Sequence, residues 1–252
     1  MDKLFTDVFD SKVFNEELKK NYNFLKNGYR NEFFFKNTLF NKLVLGKYSL
    51  TTTAAFAEVI VKKSKADFVL INRNKGMVYE IKTDLDNLDR LVYQLDDYSS
   101  AFNLVYVVTS EKNYYPVYKV VKELNPSVGI IVLTENVNLS LRRKAIENDS
   151  NLNHEVLFKL LRKKEYEQIL LMKYGTLPKV TPVLYFKTSL HWFKEINIKE
   201  AQSLVFYMLR QRNDIEGKSL LKALPMEIRW LVYTSKFKYS DLLQIYDKLN
   251  LS

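Results

Sequence analysis

Residues 66–98 read ADFVLINRNKGMVYEIKTDLDNLDRLVYQLDDY, which is two strand-like runs followed by a helix-like run. The strand-like runs, near 67–72 and 77–82, are rich in β-branched and aromatic residues. They flank Asn72-Arg73-Asn74-Lys75-Gly76, a polar segment with a glycine suited to a hairpin turn. From Asp86 onward, apolar residues recur at helical spacing. The segment therefore predicts an antiparallel hairpin that leads into a helix.

Two carboxylates and one lysine lie on this hairpin. Side chains alternate between the faces of a strand, so Glu80 and Lys82 point the same way. If the strands pair, Asp67 and Glu80 converge on one divalent cation, and oxygen ligands suit Mg²⁺ or Mn²⁺. Such a cation activates water and offsets charge at phosphorus, while Lys82 orients the nucleophile or stabilises the developing charge. The pattern indicates a metal-dependent nuclease site, although a Glu-x-Lys pair taken alone also fits a solvated strand face.

Three quoted elements resemble a known signature: Asp67, Glu80-Ile81-Lys82 and Gln94-Leu95-Asp96-Asp97-Tyr98. Together they resemble the PD-(D/E)XK nuclease superfamily, and the Gln-x-x-x-Tyr element resembles its RecB-like branch. The resemblance implies a restriction-endonuclease-like αβββαβ core, a divalent cation, and hydrolysis of phosphodiester bonds. The chain departs from the pattern at Ala66, where a proline often precedes the aspartate.

The resemblance also implies roles for residues around the carboxylates. Gln94 would contact the attacking water or a substrate phosphate, and Tyr98 would hold the scissile strand. Arg90 shares their helix face and is a further candidate for binding substrate. Glu32 and Glu58 compete for the role of an additional metal ligand, and the sequence leaves that choice open.

A wider similarity supports the same assignment. The stretches 29–37, 63–67 and 108–114 are similar to an uncharacterised bacterial family that carries an sce-prefixed label and is nuclease-like by signature.

Composition limits the classes of protein to consider. The chain has 252 residues, no cysteine, and a formal net charge of +10. No signal-peptide pattern or long apolar run is evident, so we expect a cytoplasmic protein without a membrane partner. The positive charge favours a polyanionic partner, with DNA preferred and RNA possible.

The two halves of the chain differ in charge and pattern. Residues 151–252 carry 17 Lys+Arg against 10 Asp+Glu, whereas residues 1–150 carry 22 against 19. We therefore expect an α/β core over 1–150 with N-terminal helices, and a basic, mostly helical region over 151–252. The second region is expected to bind nucleic acid, a protein partner or a second copy of the chain. Its basic or mixed basic and aromatic stretches are 162–164, 185–194 and 210–212.

The secondary structure follows from periodicity. Helices are predicted near 2–27, 31–45, 86–101, 114–124, 153–174, 198–212, 217–222, 225–235 and 239–249. Strands are predicted near 57–62, 67–72, 77–82, 104–108 and 128–133. The alternation of strands and helices indicates an α/β sandwich.

Other chemistries lack support in the sequence. His154 and His191 are the only histidines and have no ligand cluster around them, which argues against zinc. There is no glycine-rich phosphate loop and no motif for Ser/His/Asp catalysis. The sequence therefore favours a Mg²⁺-dependent deoxyribonuclease that cuts internally. Two alternatives remain: a module that binds nucleic acid or protein on the same architecture, and an RNA-cutting toxin or defence effector.

Overall fold

The structure is a computed structural model that describes residues 11–124, 126–212, 218–235 and 237–249. Its elements in chain order are α1 (Ser11–Asn27), α2 (Glu32–Leu39), a π-helical segment (Phe40–Lys47), β1 (Thr53–Val61), β2 (Ser64–Asn72), β3 (Lys75–Lys82), α3 (Leu91–Ser99), β4 (Leu104–Ser110), α4 (Tyr114–Leu124), β5 (Gly129–Leu133), β6 (Leu139–Arg143), α5 (His154–Lys159), α6 (Lys163–Tyr174), α7 (Pro182–Lys194), α8 (Ile198–Gln211), α9 (Lys218–Ala223), α10 (Arg229–Thr234) and α11 (Tyr239–Lys248). The protein is thus of mixed α/β class. In these ranges, no helix has both the length and the apolar character needed to cross a membrane.

Within the described residues, six strands form one mixed sheet in the order β1-β2-β3-β4-β5-β6. The pairs β1/β2, β2/β3 and β5/β6 are antiparallel, and the pairs β3/β4 and β4/β5 are parallel. The interior strands β3 and β5 are almost wholly buried, as expected for strands covered on both faces. These strands are therefore packed on both faces, and their ends are places where polar side chains can be held in position.

The chain divides into two compact units, Thr52–Asn213 and the combination of Met1–Thr51 with Asp214–Ser252. This division differs from the boundary near residue 150 that the sequence predicted. Leu157 of α5 and Phe206 of α8 belong to the same buried core as Val78 of β3, so helices after residue 150 complete the core of the sheet. Their apolar faces need the sheet, which is why the compact unit continues to residue 213.

Within the unit formed by the two ends of the chain, a buried asparagine joins the helices. The side-chain amide of Asn37 in α2 donates to the Tyr22 hydroxyl and to the Met226 carbonyl, each at 2.9 Å. Its oxygen accepts from the Trp230 backbone N–H at 3.1 Å. This side chain thereby links α1, α2 and α10.

The helix predicted over 2–27 is observed from Ser11, and residues 2–10 lie outside the described residues. Residue 217 of the helix predicted near 217–222 also lies outside them.

The β2–β3 hairpin differs from the prediction in its turn. Arg73 takes the positive φ, at 52°, whereas Gly76 lies inside β3. A Cβ at Gly76 would come within 2.3 Å of Phe206 Cζ and 2.8 Å of Phe102 Cδ1. The glycine is therefore needed for close packing of α8 and not for the turn.

Two predicted helices are shorter or divided. The helix predicted for 86–101 begins at Leu91, because Asp86 accepts from both the backbone N–H and the hydroxyl of Thr83 at 2.6 Å and holds a turn there. The helix predicted for 153–174 is divided into α5 and α6. Arg212 stabilises the break by donating to the Leu160 carbonyl at 2.7 Å and to Glu165 at 2.6 Å.

Two elements were absent from the sequence prediction. Residues 142–143, expected in a charged connection, belong to the edge strand β6, where charged residues are readily tolerated. Pro182, expected to interrupt helix, occupies the start of α7, where its missing N–H has no cost.

Candidate functional site

The candidate site lies where β2 and β3 separate. Their ladder runs from Asn72 paired with Lys75 to Phe68 paired with Tyr79, and this register brings Asp67 opposite Glu80 just beyond its last pair. Asp67 Oδ2 accepts the Ile81 backbone N–H at 2.8 Å. The Asp67 side chain thus takes the place of a backbone hydrogen bond where the two strands separate. Beyond this point β3 pairs with β4 and no longer with β2.

Glu80 is the centre of a buried hydrogen-bond network. Its side chain is only about 2% exposed. Oε1 accepts from Lys82 Nζ at 2.9 Å and from Gln94 Nε2 at 2.5 Å, and Oε2 accepts from the Tyr98 hydroxyl at 2.7 Å. A carboxylate offers about four acceptor positions, so one position on Oε2 remains.

Lys82 is held at both its side chain and its backbone. Besides Glu80, its Nζ donates to Gln94 Oε1 at 2.9 Å, which uses two of the three ammonium donors. Its carbonyl accepts from the Thr109 hydroxyl at 2.8 Å. Burying an ammonium beside a carboxylate costs hydration, which the ion pair and its hydrogen bonds offset.

Tyr98 was predicted to hold substrate, yet it is fully buried and donates to Glu80. Burial raises the pKa of Tyr98, and the negative charge of Glu80 raises it further. The hydroxyl therefore stays protonated and acts as a donor. In this arrangement Tyr98 orients Glu80.

The helix α3 is fixed so that Gln94 and Tyr98, one turn apart, both reach Glu80. Asp97 on α3 accepts from the Ser64 hydroxyl at 2.7 Å, which ties the helix to the start of β2. Arg90 immediately precedes the helix and is exposed, and its carbonyl accepts from the Gln94 N–H at 3.0 Å. Its predicted contact with substrate stays a prediction.

Glu58 lies in the middle of β1, and not at the start of that strand as the sequence suggested. The flanking pairs Ala57–Phe68 and Val59–Ala66 set Glu58 opposite Asp67. Oxygens of Glu58 and Asp67 lie within 4.8 Å of one another. Glu58 also forms an ion pair with Lys65 and has a positive φ of 58°, a strained backbone for a glutamate.

Glu32 is the first residue of α2, in the unit formed by the ends of the chain, and it forms an ion pair with Lys36. Its role as a metal ligand stays a prediction.

Sequence reasoning missed the residues that hold the end of β3. In addition to Thr109, Asn113 donates through its side-chain amide to the Thr83 carbonyl at 3.0 Å, and Asp86 accepts from Thr83. The signal was a change from apolar to polar residues at the end of the run 104–108, but only the parallel pairing of β3 with β4 brings those residues to Lys82.

The basic and aromatic segment 185–194 lies on α7. Phe193 is buried, and the Tyr185 hydroxyl donates to Glu167 at 2.8 Å. Phe186 is exposed. Most of the predicted base-stacking rings in this segment therefore contribute to packing.

Comparison with known proteins assigns the chain to a family. No curated protein and no solved structure matches the chain. The family described as "Bacteriophage P4 protein cII" matches residues 25–233, which is most of the 252-residue chain and spans the whole candidate site. On that coverage, the chain belongs to the bacteriophage P4 protein cII family.

Proposed function

We propose that this protein is a metal-dependent nuclease that hydrolyses phosphodiester bonds in DNA. The observation that carries the proposal is the set of polar groups around Glu80: Asp67 opposite it in register, and Lys82, Gln94 and Tyr98 bonded to it. Three antiparallel strands, a helix and a parallel strand follow in the order expected of a restriction-endonuclease-like core. That order supports the proposal alongside the site.

The oxygen ligands available fit Mg²⁺ or Mn²⁺. Asp67 and the remaining acceptor position of Glu80 would hold the cation, and Glu58 is a candidate for a further oxygen. When bound, the cation would lower the pKa of a water and offset charge at phosphorus.

The protein's own groups have tasks that follow from their contacts. Lys82 has one ammonium donor left after Glu80 and Gln94, and this donor is suited to a phosphate oxygen on which charge develops. Gln94 accepts a hydrogen bond from Lys82 and donates one to Glu80, so it fixes their relative positions. Tyr98 keeps Glu80 oriented without touching substrate.

Asp67→Asn is the most informative variant. The asparagine oxygen still accepts the Ile81 N–H, so the strand contact is kept, whereas the negative charge that binds a cation is lost. With Mg²⁺ or Mn²⁺, we expect the full-length protein to nick supercoiled plasmid. Asp67→Asn should cut more than about 100-fold slower, beyond the loss typical of residues that merely support a ligand.

Asp96→Asn is the matched control, since it removes an exposed carboxylate from α3, and it should cut like the parent. Linear duplex, single-stranded DNA and RNA are assayed beside the plasmid. A parent that cuts none of these, or an Asp67→Asn protein as fast as the parent, would contradict the proposal. Cleavage of RNA alone would replace DNA by RNA as substrate.

A second candidate is a binding module that uses the same architecture without cutting. The contacts of Glu80 support this candidate, because a buried carboxylate with three hydrogen-bond donors also occurs in networks that only stabilise a core. The candidates differ in metal binding. Calorimetric titration with Mn²⁺ should show binding that Asp67→Asn weakens if the protein is a nuclease, and no binding if it is this module.

A further inference from the structure

A second polar surface lies on α4 and the neighbouring edge strand β6. Three tyrosines on this surface each have a cation near the ring: Lys119 Nζ is 4.8 Å from the centre of Tyr115, Lys122 Nζ is 5.9 Å from Tyr118, and Arg142 Cζ is 5.9 Å from Tyr114. We call these six residues the Tyr–Lys surface.

The surface lies on a helix that is packed against the core. Val117 and Val121 of α4 are buried in the core, and Tyr114 and Tyr118 pack partly against it. Tyr115 projects outward, with 61% of its surface exposed. The backbone that carries Tyr115 is packed, and a tyrosine side chain has few rotatable torsions, so a flat ligand that stacks on the ring orders little of the protein.

The charge of the surface favours an anion. Lys119, Lys122 and Arg142 are exposed, and the neighbouring Glu111 forms an ion pair with Arg142. Exposed cation–π pairs contribute only about 0.5–1 kcal/mol each, so the lysines are readily redirected to phosphates.

The surface begins beside the candidate site. Asn113, immediately before α4, donates to the carbonyl of Thr83 at 3.0 Å, and Thr83 follows Lys82. The first turn of α4 therefore lies close to the end of β3 that carries Lys82.

We propose that the Tyr–Lys surface binds single-stranded DNA, an inference that rests on the proposed function. Aromatic side chains stack on unpaired bases while nearby cations bind the phosphates. In a duplex the bases are stacked on each other, so the exposed Tyr115 ring has no base face to contact. The surface would thus hold an unpaired strand next to Lys82.

Binding is measured with the full-length protein in EDTA, where the metal-dependent cleavage proposed above is prevented. The probes are fluorescein-labelled oligothymidine, the matching oligouridine, and a duplex of equal length. Tyr115→Ala should weaken binding of oligothymidine about tenfold, the scale of one lost base stack, and Tyr115→Phe should bind like the parent. Changing both Lys119 and Lys122 to Gln should lower the slope of log affinity against log salt by about 1.4, or about 0.7 for each lost phosphate contact.

Tyr207→Ala, which removes an exposed ring from α8, is the matched control and should bind like the parent. The inference would be overturned if the parent binds no oligothymidine or if Tyr115→Ala leaves its affinity unchanged. It would also be overturned if Tyr115→Ala weakens binding of the duplex as much as binding of oligothymidine. Tighter binding of oligouridine than of oligothymidine would overturn the assignment to DNA. Plasmid cleavage is scored separately. Binding without cleavage contradicts only the proposed function. Plasmid cleavage by a parent protein whose affinity for oligothymidine does not depend on Tyr115 contradicts only this inference.

Discussion

At the scale of single residues, the candidate site depends on Glu80. Removing a carboxylate from water costs hydration that its hydrogen-bond donors must offset, and losing one of those donors is costly. Lys82, Gln94 and Tyr98 are those donors. The spacing of Gln94 and Tyr98 could be read from the sequence, but their bonds to Glu80 require β3 and α3 to be packed together.

Tyr98→Phe tests this network through stability. The change removes the donor to Glu80 Oε2 and keeps the ring, so the free energy of unfolding should fall by about 1.5–3 kcal/mol in urea denaturation. Tyr93→Phe, at a 74% exposed position on the same helix, should change it by less than about 0.5 kcal/mol. Equal effects of the two substitutions would mean that the Tyr98 hydroxyl contributes nothing to the network.

The same variant has a predicted pH dependence. Burial, and then the charge of Glu80, raises the pKa of Tyr98 above its ordinary value of 10.0. Above about pH 10 the unfolded chain loses the phenolic proton that the folded protein retains, so stability falls as pH rises. The parent should lose up to about 1.4 kcal/mol per pH unit more than Tyr98→Phe, as measured by urea denaturation between pH 9 and 11. Parallel curves would contradict the raised pKa.

At the scale of elements, close packing of α8 on β3 determines the structure around Gly76. The sequence suggested a turn glycine, because Gly76 ends a polar segment between two strand-like runs, where glycine suits a hairpin turn. Whether a Cβ fits depends on rings of Phe102 and Phe206, which lie far away in sequence.

Gly76→Ala should therefore destabilise the protein by about 1–3 kcal/mol, the usual cost of overpacking. Adding Phe206→Leu should recover part of this loss, because it removes the ring that the new methyl group contacts. Gly175, with φ of 68° and nothing within 4 Å of an added Cβ, serves as the contrast. Gly175→Ala should be destabilising through its backbone alone, so Phe206→Leu should give no recovery. Thermal denaturation of the four variants measures both effects.

At the scale of the whole molecule, the core of the sheet is completed by residues distant in sequence. Phe206 stacks on Phe102 with ring centres 5.8 Å apart, and Gln202 donates to the Ala101 carbonyl at 2.8 Å. Phe206 and Gln202 both lie on α8, which follows residue 150. The domain boundary predicted from charge and composition therefore differs from the boundary set by packing.

A fragment of residues 52–150 should consequently fail to fold cooperatively, because it lacks the α8 face of its core. A fragment of residues 52–213, which corresponds to one compact unit, should unfold in a single transition. Circular dichroism during urea denaturation compares the two. A cooperative transition in the shorter fragment would show that the helices after residue 150 are dispensable for the core.

The sequence by itself determined the mixed α/β class and approximate positions for most strands, because alternation and helical spacing are local properties of the chain. It also grouped Asp67, Glu80, Lys82, Gln94 and Tyr98 in one candidate site, from strand alternation on the hairpin and from the resemblance to a nuclease signature. Only the tertiary structure decided that Tyr98 is enclosed and bonded to Glu80, that Gly76 serves packing, and that the sheet shares its core with helices after residue 150. These features depend on contacts between residues far apart in the chain, and such contacts leave no local pattern.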